Sequence, residues 1–243
     1  MDYEAIVAPT INELFESRIQ DMILSGKLRV GDKLPTEREL STKMKISKTA
    51  VHLGIKNLER QGFLRVVPRH GVYVANYPET GNLETLIALL KYNGNRMDKK
   101  TVASILQFRE ANEGMAVRLL ASNHTTDNIL KLRMYIEEIK KAGNRTPPAT
   151  PDEIAQLLFQ YHLYIGLKSN NNVIPMVMNG FHDVSVAFWK LLLAWFDLER
   201  VTAFLEDFTA LIAKGNSDGV MTLYREFASQ FMERIYDEDT MIV

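Results

Sequence analysis

Apolar residues recur at helical spacing in two short neighbouring segments near the N-terminus. The first segment carries Leu40 and Met44, four residues apart, and the second carries Val51, Ile55 and Leu58 at positions i, i+4 and i+7. This spacing places each set on one face of a helix, where it can pack against a core. The pattern therefore predicts two short amphipathic helices.

Residues typical of helix ends bound both segments. Thr36, with Glu39 three residues later, can form a capping box, and Ser47 is a good N-cap for the second helix. Gly62 suits the position that follows the end of the second helix. We therefore expect the two helices to be joined by a tight turn at residues 45–46.

A β-hairpin is predicted directly after the second helix. Residues 64–67 and 72–74 contain several β-branched side chains, and the Pro-Arg-His-Gly sequence of residues 68–71 can form the turn between two strands. Two helices followed by a hairpin is the order of a winged helix-turn-helix, which places its second helix in a DNA groove. An amphipathic helix that starts after Thr10 belongs to the same module.

The charge distribution agrees with DNA binding. Between Lys27 and Val74 there are eleven Lys and Arg against four Asp and Glu, a net charge of +7, whereas the whole chain has a formal net charge of −1. A basic segment in an otherwise acidic protein is typical of a module that contacts phosphates. A basic helix face that is merely solvated is the alternative, but the order of the motifs favours DNA binding.

The rest of the chain has helical periodicity. Residues 76–82 lack this periodicity and contain Pro and Gly, so we place a linker there, between a winged helix-turn-helix domain at 1–75 and an all-helical domain at 83–243. The predicted fold is mainly α, with an all-α helical bundle as the second domain. Its helices are expected near residues 83–94, 100–121, 125–143, 152–168, 172–195, 198–214 and 217–236.

Composition and motifs exclude several classes of protein. The chain has no cysteine, which rules out disulfides, thiolate metal sites and a cysteine nucleophile. The first five residues lack the basic and apolar stretches of a signal peptide, and the most apolar window, residues 184–196, is too short to span a bilayer. We therefore expect a cytoplasmic protein without membrane contact. We do not expect an enzyme, because no G-x-S-x-G, phosphate loop or H-E-x-x-H motif is present.

The sequences GDKLPTERELS, ISKTAV, NLERQGFL and RHGVYV resemble the winged helix of the GntR-type bacterial regulators over about residues 8–75. The resemblance implies that the arginine of the first motif, the start of the second helix and the wing tip contact DNA. The polar face of the second helix adds His52 as a candidate DNA contact, and the basic wing adds Arg69. The DNA-contact candidates are Arg38, Ser47, Lys48, Thr49, His52, Arg69, His70 and Gly71.

Two of these positions depart from the family pattern. Lys48 replaces the usual arginine, and His52 stands where the family normally has a second arginine. Both changes weaken the bidentate reading of guanine that arginine provides. We therefore expect the DNA sequence that this chain reads to differ from those of its relatives.

The helical domain resembles the FadR-like branch of the same family. Residues 108–121 match the R-x-x-x-E…A-x-x-L-A helix of that branch, and Asn171 lies where its S-G-N turn would fall. Many members bind a divalent metal through one aspartate and three histidines. Here His162 matches one ligand, but Leu158 stands in place of the aspartate, and the later helices lack histidines at the other two places. One imidazole is too few ligands for a stable site, so we expect no metal or other cofactor.

Four residues of the helical domain are candidates for effector binding. Arg109 has two interpretations, as a structural partner of Glu113 or as a guanidinium that binds an anionic effector. His162 belongs to a helix face that lines either the core or an effector cavity. His182 and Trp189 lie on an apolar helix rich in aromatic residues, which suits an apolar pocket but is equally explained by core packing.

Three functions remain open at this point. The first is a homodimeric regulator that binds a palindromic double-stranded DNA operator and changes its DNA affinity when a small organic acid or acyl-type effector binds the helical domain. The second is a nonspecific nucleic-acid-binding protein whose helical domain only dimerises, and the third is an enzyme that carries a basic module. Footprinting separates the first two, because only a specific regulator protects one short palindrome.

Overall fold

The chain folds into two compact units, which divide between Gly94 and Asn95. The computed structural model describes residues 8–94 and 97–236. The first five residues, in which we expect no signal peptide, lie outside this part. The first unit contains α1 (Ile11–Leu24), α2 (Glu37–Met44), α3 (Lys48–Arg60), β1 (Leu64–Val67), β2 (Gly71–Val74), α4 (Tyr77–Thr80) and α5 (Leu83–Tyr92). The second contains α6 (Lys99–Asn123), α7 (Thr126–Asn144), α8 (Pro151–Lys168), α9 (Ile174–Gly180), α10 (His182–Trp195), α11 (Leu198–Ala213) and α12 (Ser217–Tyr236).

The first unit has the predicted winged helix-turn-helix architecture. Phe15 and Ile19 of α1 pack in one buried core with Val51, Ile55 and Leu58 of α3, the three residues whose spacing predicted the second helix of the motif. Apolar burial of this kind is the main force that holds a small helical module together. The core therefore fixes α3 against α1 and leaves the opposite face of α3 free.

The hairpin that follows α3 is antiparallel. In its register, Leu64 is opposite Val74 and Val67 is opposite Gly71. An isolated bridge between Lys33 and Tyr73 pairs the chain ahead of α2 with β2. The wing is thus attached along both edges of β2, which limits how far it can move relative to α3.

The division between the units lies later in the chain than the expected linker. Residues 76–82 include the short helix α4, and α5, predicted as part of the second domain, packs on the first unit. The Thr85 hydroxyl donates to the Gln61 carbonyl at 2.7 Å, the Asn82 side chain donates to the Arg60 carbonyl at 2.9 Å, and Ala88 joins the core. These tertiary contacts place α5 with the winged helix.

All the described secondary-structure elements of the second unit are helices, as predicted, and none of the described helices is long and apolar enough to cross a membrane. Helix α8 packs against α6, α7 and α10, and α12 packs against α6 and α11. The long helix expected at 172–195 is two helices, α9 and α10, because the chain turns at Phe181 directly after Gly180, a poor helix former. Phe181 stacks on Phe108 of α6 at 4.3 Å between ring centroids.

Candidate DNA-binding face and effector cavity

Hydrogen bonds inside the turn hold α2 and α3 together. Lys45 ends α2 in the left-handed region with φ 54°, and the Ser41 hydroxyl donates to the Ile46 carbonyl at 2.7 Å. Ser47 Oγ accepts from the Ala50 N–H at 3.1 Å and so caps α3. These contacts fix where α3 begins and therefore which of its first residues face solvent.

Helix α3 has one buried face and one exposed polar face. Val51 and Leu58 are completely buried, whereas Lys48, Thr49 and His52 are exposed. The exposed residues lie in the first two turns of the helix, the part that reads base edges when a recognition helix enters the major groove. The geometry therefore supports a DNA-reading role for this face.

Helix α3 approaches α1 very closely at Gly54. A Cβ atom at this position would lie only 2.2 Å from Cδ1 of Phe15, which is closer than carbon atoms pack. Glycine is thus required by space rather than by its backbone conformation. The close contact at Gly54 therefore limits how α3 can pack against α1.

The wing tip is exposed and has an unusual backbone. Arg69 and Gly71 have positive φ angles of 65° and 118°, and only glycine adopts the second without strain. The Tyr73 hydroxyl donates to the His70 carbonyl at 3.2 Å, and this hydrogen bond stabilises the turn at the wing tip. The side chains of Arg69 and His70 face solvent.

The structure places the predicted DNA-contact residues at the surface of the first unit. Arg38, on α2, is exposed, as is the N-cap residue Ser47, while Gly71 is half-buried. His52 differs from the other candidates in its polar contact with a neighbouring helix, because its Nδ1 lies 2.9 Å from Oε1 of Glu37 on α2. The contacts of all these residues with DNA stay predictions.

Three of the four effector candidates meet in one buried cluster of the second unit. Arg109 and His162 are only 5% and 4% exposed, and both contact the same carboxylate oxygen, Oε2 of Glu113, at 3.0 and 3.2 Å. Trp189 stacks on His162 with ring centroids 4.9 Å apart and lies 4.6 Å from the Arg109 guanidinium. Arg109 is therefore a partner of Glu113, the first of its two interpretations.

Burial and the Arg109 charge determine the charge states of this cluster. Burial acts to raise the pKa of Glu113, but the charges of Arg109 and His162 and the hydrogen bond from His162 outweigh it and hold that pKa below its usual value. Burial lowers the pKa of His162 despite the attraction of Glu113. A neutral imidazole that donates from Nδ1 to a carboxylate has a bare Nε2, which can only accept.

The cluster contains buried polar atoms without hydrogen-bond partners. Among the described residues these are Nε of Arg109, Nε2 of His162 and Nε1 of Trp189. The same three residues line a cavity of about 20 Å³, whose other walls are mainly apolar and aromatic, including Phe188 and Phe204. Buried polar atoms of this kind ordinarily bind a protein group, a water or a ligand. Two unpaired donors and one unpaired acceptor thus belong to residues that line a cavity about the size of a water molecule.

The fourth candidate, His182, lies outside the cluster. Its Nδ1 is 3.0 Å from Oδ1 of Asp183 and its Nε2 is 2.9 Å from Oε1 of Gln156, so both ring nitrogens already have partners. Its position at the start of α10 places it well away along the helix from Trp189, two turns later. The structure thus gives His182 a local role and does not bring it to the cavity.

The described residues contain no group of three or more side chains suited to a metal. Leu158 is completely buried one turn before His162 on α8, and its apolar side chain provides no ligand. The donor set around His162 consists of one imidazole and one carboxylate that already pairs with Arg109. These residues do not provide the four ligands of a stable metal site.

Sequence reasoning missed the link between Glu113 and His162. The spacing of Arg109 and Glu113, at i and i+4 on α6, indicated their pair from the sequence alone. His162 is on α8, and only the packing of α6 against α8 brings it to the same carboxylate. No local signal in the sequence reveals that contact.

We predict that the second unit loses stability as the pH falls. The unfolded chain takes up a proton on His162 near pH 6.5, but the folded chain does so only at a lower pH, so the folded state becomes less favoured below about pH 6.5. Glu113 acts in the same direction at lower pH still. Urea unfolding followed by Trp fluorescence at about pH 7.5 and about pH 5.5 measures the effect. An equal pH dependence in His162→Gln would contradict it.

Each of the two domains matches a known protein family. Residues 13–74 match the bacterial regulatory proteins of the gntR family. Residues 104–230, more than half of the chain, match the FCD domain. The chain belongs to the GntR family. Both family resemblances drawn from the sequence, to GntR regulators and to their FadR-like branch, are confirmed.

Relatives of this GntR-family chain are regulators. The Glc operon transcriptional activator of Escherichia coli strain K12 is 26% identical over 174 residues, which are 72% of this chain and 66% of that protein. The fatty acid metabolism regulator protein of Shewanella denitrificans is 25% identical over 177 residues, which are 68% of this chain and 65% of that protein. The chain thus matches just under two thirds of the length of these relatives. At the level of the family, these names support a regulator rather than an enzyme.

A solved structure shows the same fold. Lar, which controls the expression of the Listeria monocytogenes agr system, superimposes on this GntR-family chain with a TM-score of 0.65 and 13% sequence identity. The match covers 96% of this chain and 100% of Lar. At this low identity the likeness concerns the fold alone.

Proposed function

We propose that this protein regulates transcription by binding a palindromic operator as a homodimer, and that a small organic acid or acyl-type effector in the FCD domain changes its affinity for DNA. The exposed N-terminal half of α3, with Lys48 and Thr49 on a basic module, carries the DNA-binding part of the proposal. The two-fold arrangement of the operator follows from a dimer that presents one recognition helix to each half-site.

The buried cluster supports the effector part of the proposal. Unpaired donors on Arg109 and Trp189 can bind the oxygen atoms of a carboxyl or acyl group, while the unpaired His162 Nε2 can accept a hydrogen bond from a hydroxyl group of the ligand. Aromatic walls suit an attached apolar chain. A ligand that binds one arrangement of the domain better than another shifts the DNA-bound population by that difference in affinity.

We predict that Lys48→Ala and Thr49→Ala each weaken operator binding by about 1–3 kcal/mol, the range for a side chain that contacts a base edge. The operator is first isolated by selection from random DNA duplexes, and affinities are then measured by fluorescence anisotropy at one fixed salt concentration. Both residues are exposed, so the unfolding curves should not change.

Lys214→Ala is a matched control, because it removes an exposed lysine from the second unit. It should leave operator affinity unchanged. Wild-type affinity in both α3 variants would refute the assignment of α3 as the recognition helix. Failure to enrich any sequence, together with uniform protection in footprinting, would instead favour the nonspecific nucleic-acid-binding alternative.

A further inference from the structure

His52 lies on the exposed polar face of α3, but its ring is held from one side by α2. Its Nδ1 is 2.9 Å from Oε1 of Glu37, and the two side chains are 54% and 42% exposed. Among the described residues, no hydrogen bond from the protein reaches the other ring nitrogen, Nε2. The contact therefore orients the imidazole and leaves Nε2 free on a face that also carries Lys48 and Thr49.

The carboxylate of Glu37 determines what Nε2 can do. An ionised carboxylate only accepts hydrogen bonds, so Nδ1 must carry the hydrogen in both charge states of the ring. In the neutral ring Nε2 is then a bare acceptor, and in the imidazolium it is a donor. Without Glu37, the neutral ring could exchange its two tautomers, and Nε2 would not have a defined role.

The charged groups around His52 come from two helices. On α2 these are the acidic Glu37, in contact with the ring, and the next residue, the basic Arg38. On α3, Lys48 and Lys56 are four residues before and after His52. Lys56 is itself paired with Glu59 at 3.2 Å. Histidine ordinarily changes charge between pH 5 and 8, so both states are accessible to a DNA-binding protein.

Base edges in the major groove pair differently with a hydrogen-bond acceptor and with a donor. A bare Nε2 can accept from the exocyclic amino group of cytosine or adenine, whereas an Nε2–H can donate to O6 or N7 of guanine, N7 of adenine or O4 of thymine. Cytosine presents only a donor and guanine only acceptors, so these two bases distinguish the two states of the ring. We propose that His52 reads one base of each operator half-site, and that its preference changes from cytosine to guanine as the ring gains a proton, with Glu37 as the positioning residue. This inference rests on the proposed DNA-binding function of α3.

The test is selection from a random DNA duplex library with the full-length protein at about pH 8 and about pH 6, at constant ionic strength. At one position of the half-site, the ratio of guanine to cytosine should rise by about fivefold at the lower pH, the lower limit for one base contact. His52→Gln should enrich the same motif at the other positions and show no pH dependence at this one, because an amide does not titrate. Glu37→Gln keeps an oxygen acceptor near Nδ1, but its amide can also donate to that nitrogen, so the tautomer is no longer fixed and the preference for cytosine at about pH 8 should weaken.

His124→Gln is the control for titration elsewhere, because His124 lies in the second unit and should not alter the change in preference. Identical base preferences at both pH values in the wild type would overturn the inference, as would a pH dependence that persists in His52→Gln. In both cases a motif is still enriched, and the proposed function stands. Failure to enrich any motif at either pH would refute the proposed function itself, and the inference with it.

Discussion

Replacing Glu113 with alanine is expected to lower the free energy of unfolding of the FCD domain by about 3–5 kcal/mol, the cost of removing one partner from a buried ion pair. Arg109 would keep its charge at a position that is only 5% exposed, and His162 would lose the acceptor for its Nδ1. The nearby ring of Trp189, 4.6 Å from the guanidinium, cannot replace a carboxylate. The loss should therefore approach the upper part of this range.

Trp fluorescence during urea unfolding measures this loss, because both tryptophans of the chain, Trp189 and Trp195, belong to the second unit. Glu110→Ala is a matched control: Glu110 is on the same helix and pairs with Arg225 at the surface, where an ion pair contributes less than about 1 kcal/mol. A comparable loss in both variants would show that Glu113 is no more important to the fold than a surface residue.

The double variant Arg109→Met, Glu113→Leu separates the ion pair from the effector site. Removing both charges together avoids the unpaired charge, so this variant should be more stable than Glu113→Ala alone. It should also bind the operator like the wild type but stop responding to the effector, because Arg109 is no longer present at the cavity. A response that survives in this variant would place effector binding elsewhere.

Val51→Asp is expected to unfold the winged helix, with a loss of at least about 4 kcal/mol, because an unpaired carboxylate would enter the core. Val51 of α3 is completely buried in the core that α3 shares with α1. Leu53→Asp is the matched control, since Leu53 is on the same helix but is 46% exposed. Only the first variant should become sensitive to limited proteolysis in residues 8–94 and lose all operator binding.

The Trp fluorescence of the Val51→Asp variant should keep its wild-type unfolding transition, because the tryptophans lie in the other unit. A folded, DNA-binding Val51→Asp protein would mean that α3 does not bury this face. Unfolding of both units by the one change would show instead that they fold as a single cooperative block.

The winged helix could be predicted from the sequence because its signals are local. Capping residues such as Thr36 and Ser47 have the predicted contacts, and the apolar spacing of α3 matches its buried face. The sequence did not reveal that α5 belongs to the first unit, because this depends on the contact of Thr85 with the end of α3. The turn at Phe181 was also missed, since apolar residues continue through it without a change in pattern.

The buried cluster of Arg109, Glu113, His162 and Trp189 was predictable only in part. The pairing of Arg109 with Glu113 follows from helical spacing, but the addition of His162 and Trp189 requires α8 and α10 to be placed beside α6. The same placement separates His182 from the others, although it lies on the same helix as Trp189. Helix spacing identifies neighbours along one helix, and contacts between helices depend on packing angles that a single sequence does not reveal.

The small size of the cavity affects how fast a ligand can enter. A volume of about 20 Å³ accommodates one water molecule, so a larger molecule enters only when the side chains that line the cavity move apart. The observed association rate of the effector that we propose should then level off at high ligand concentration, at the rate at which these side chains move. A regulator gated in this way responds slowly to brief rises in ligand concentration, so that it registers sustained changes in supply and averages out short fluctuations.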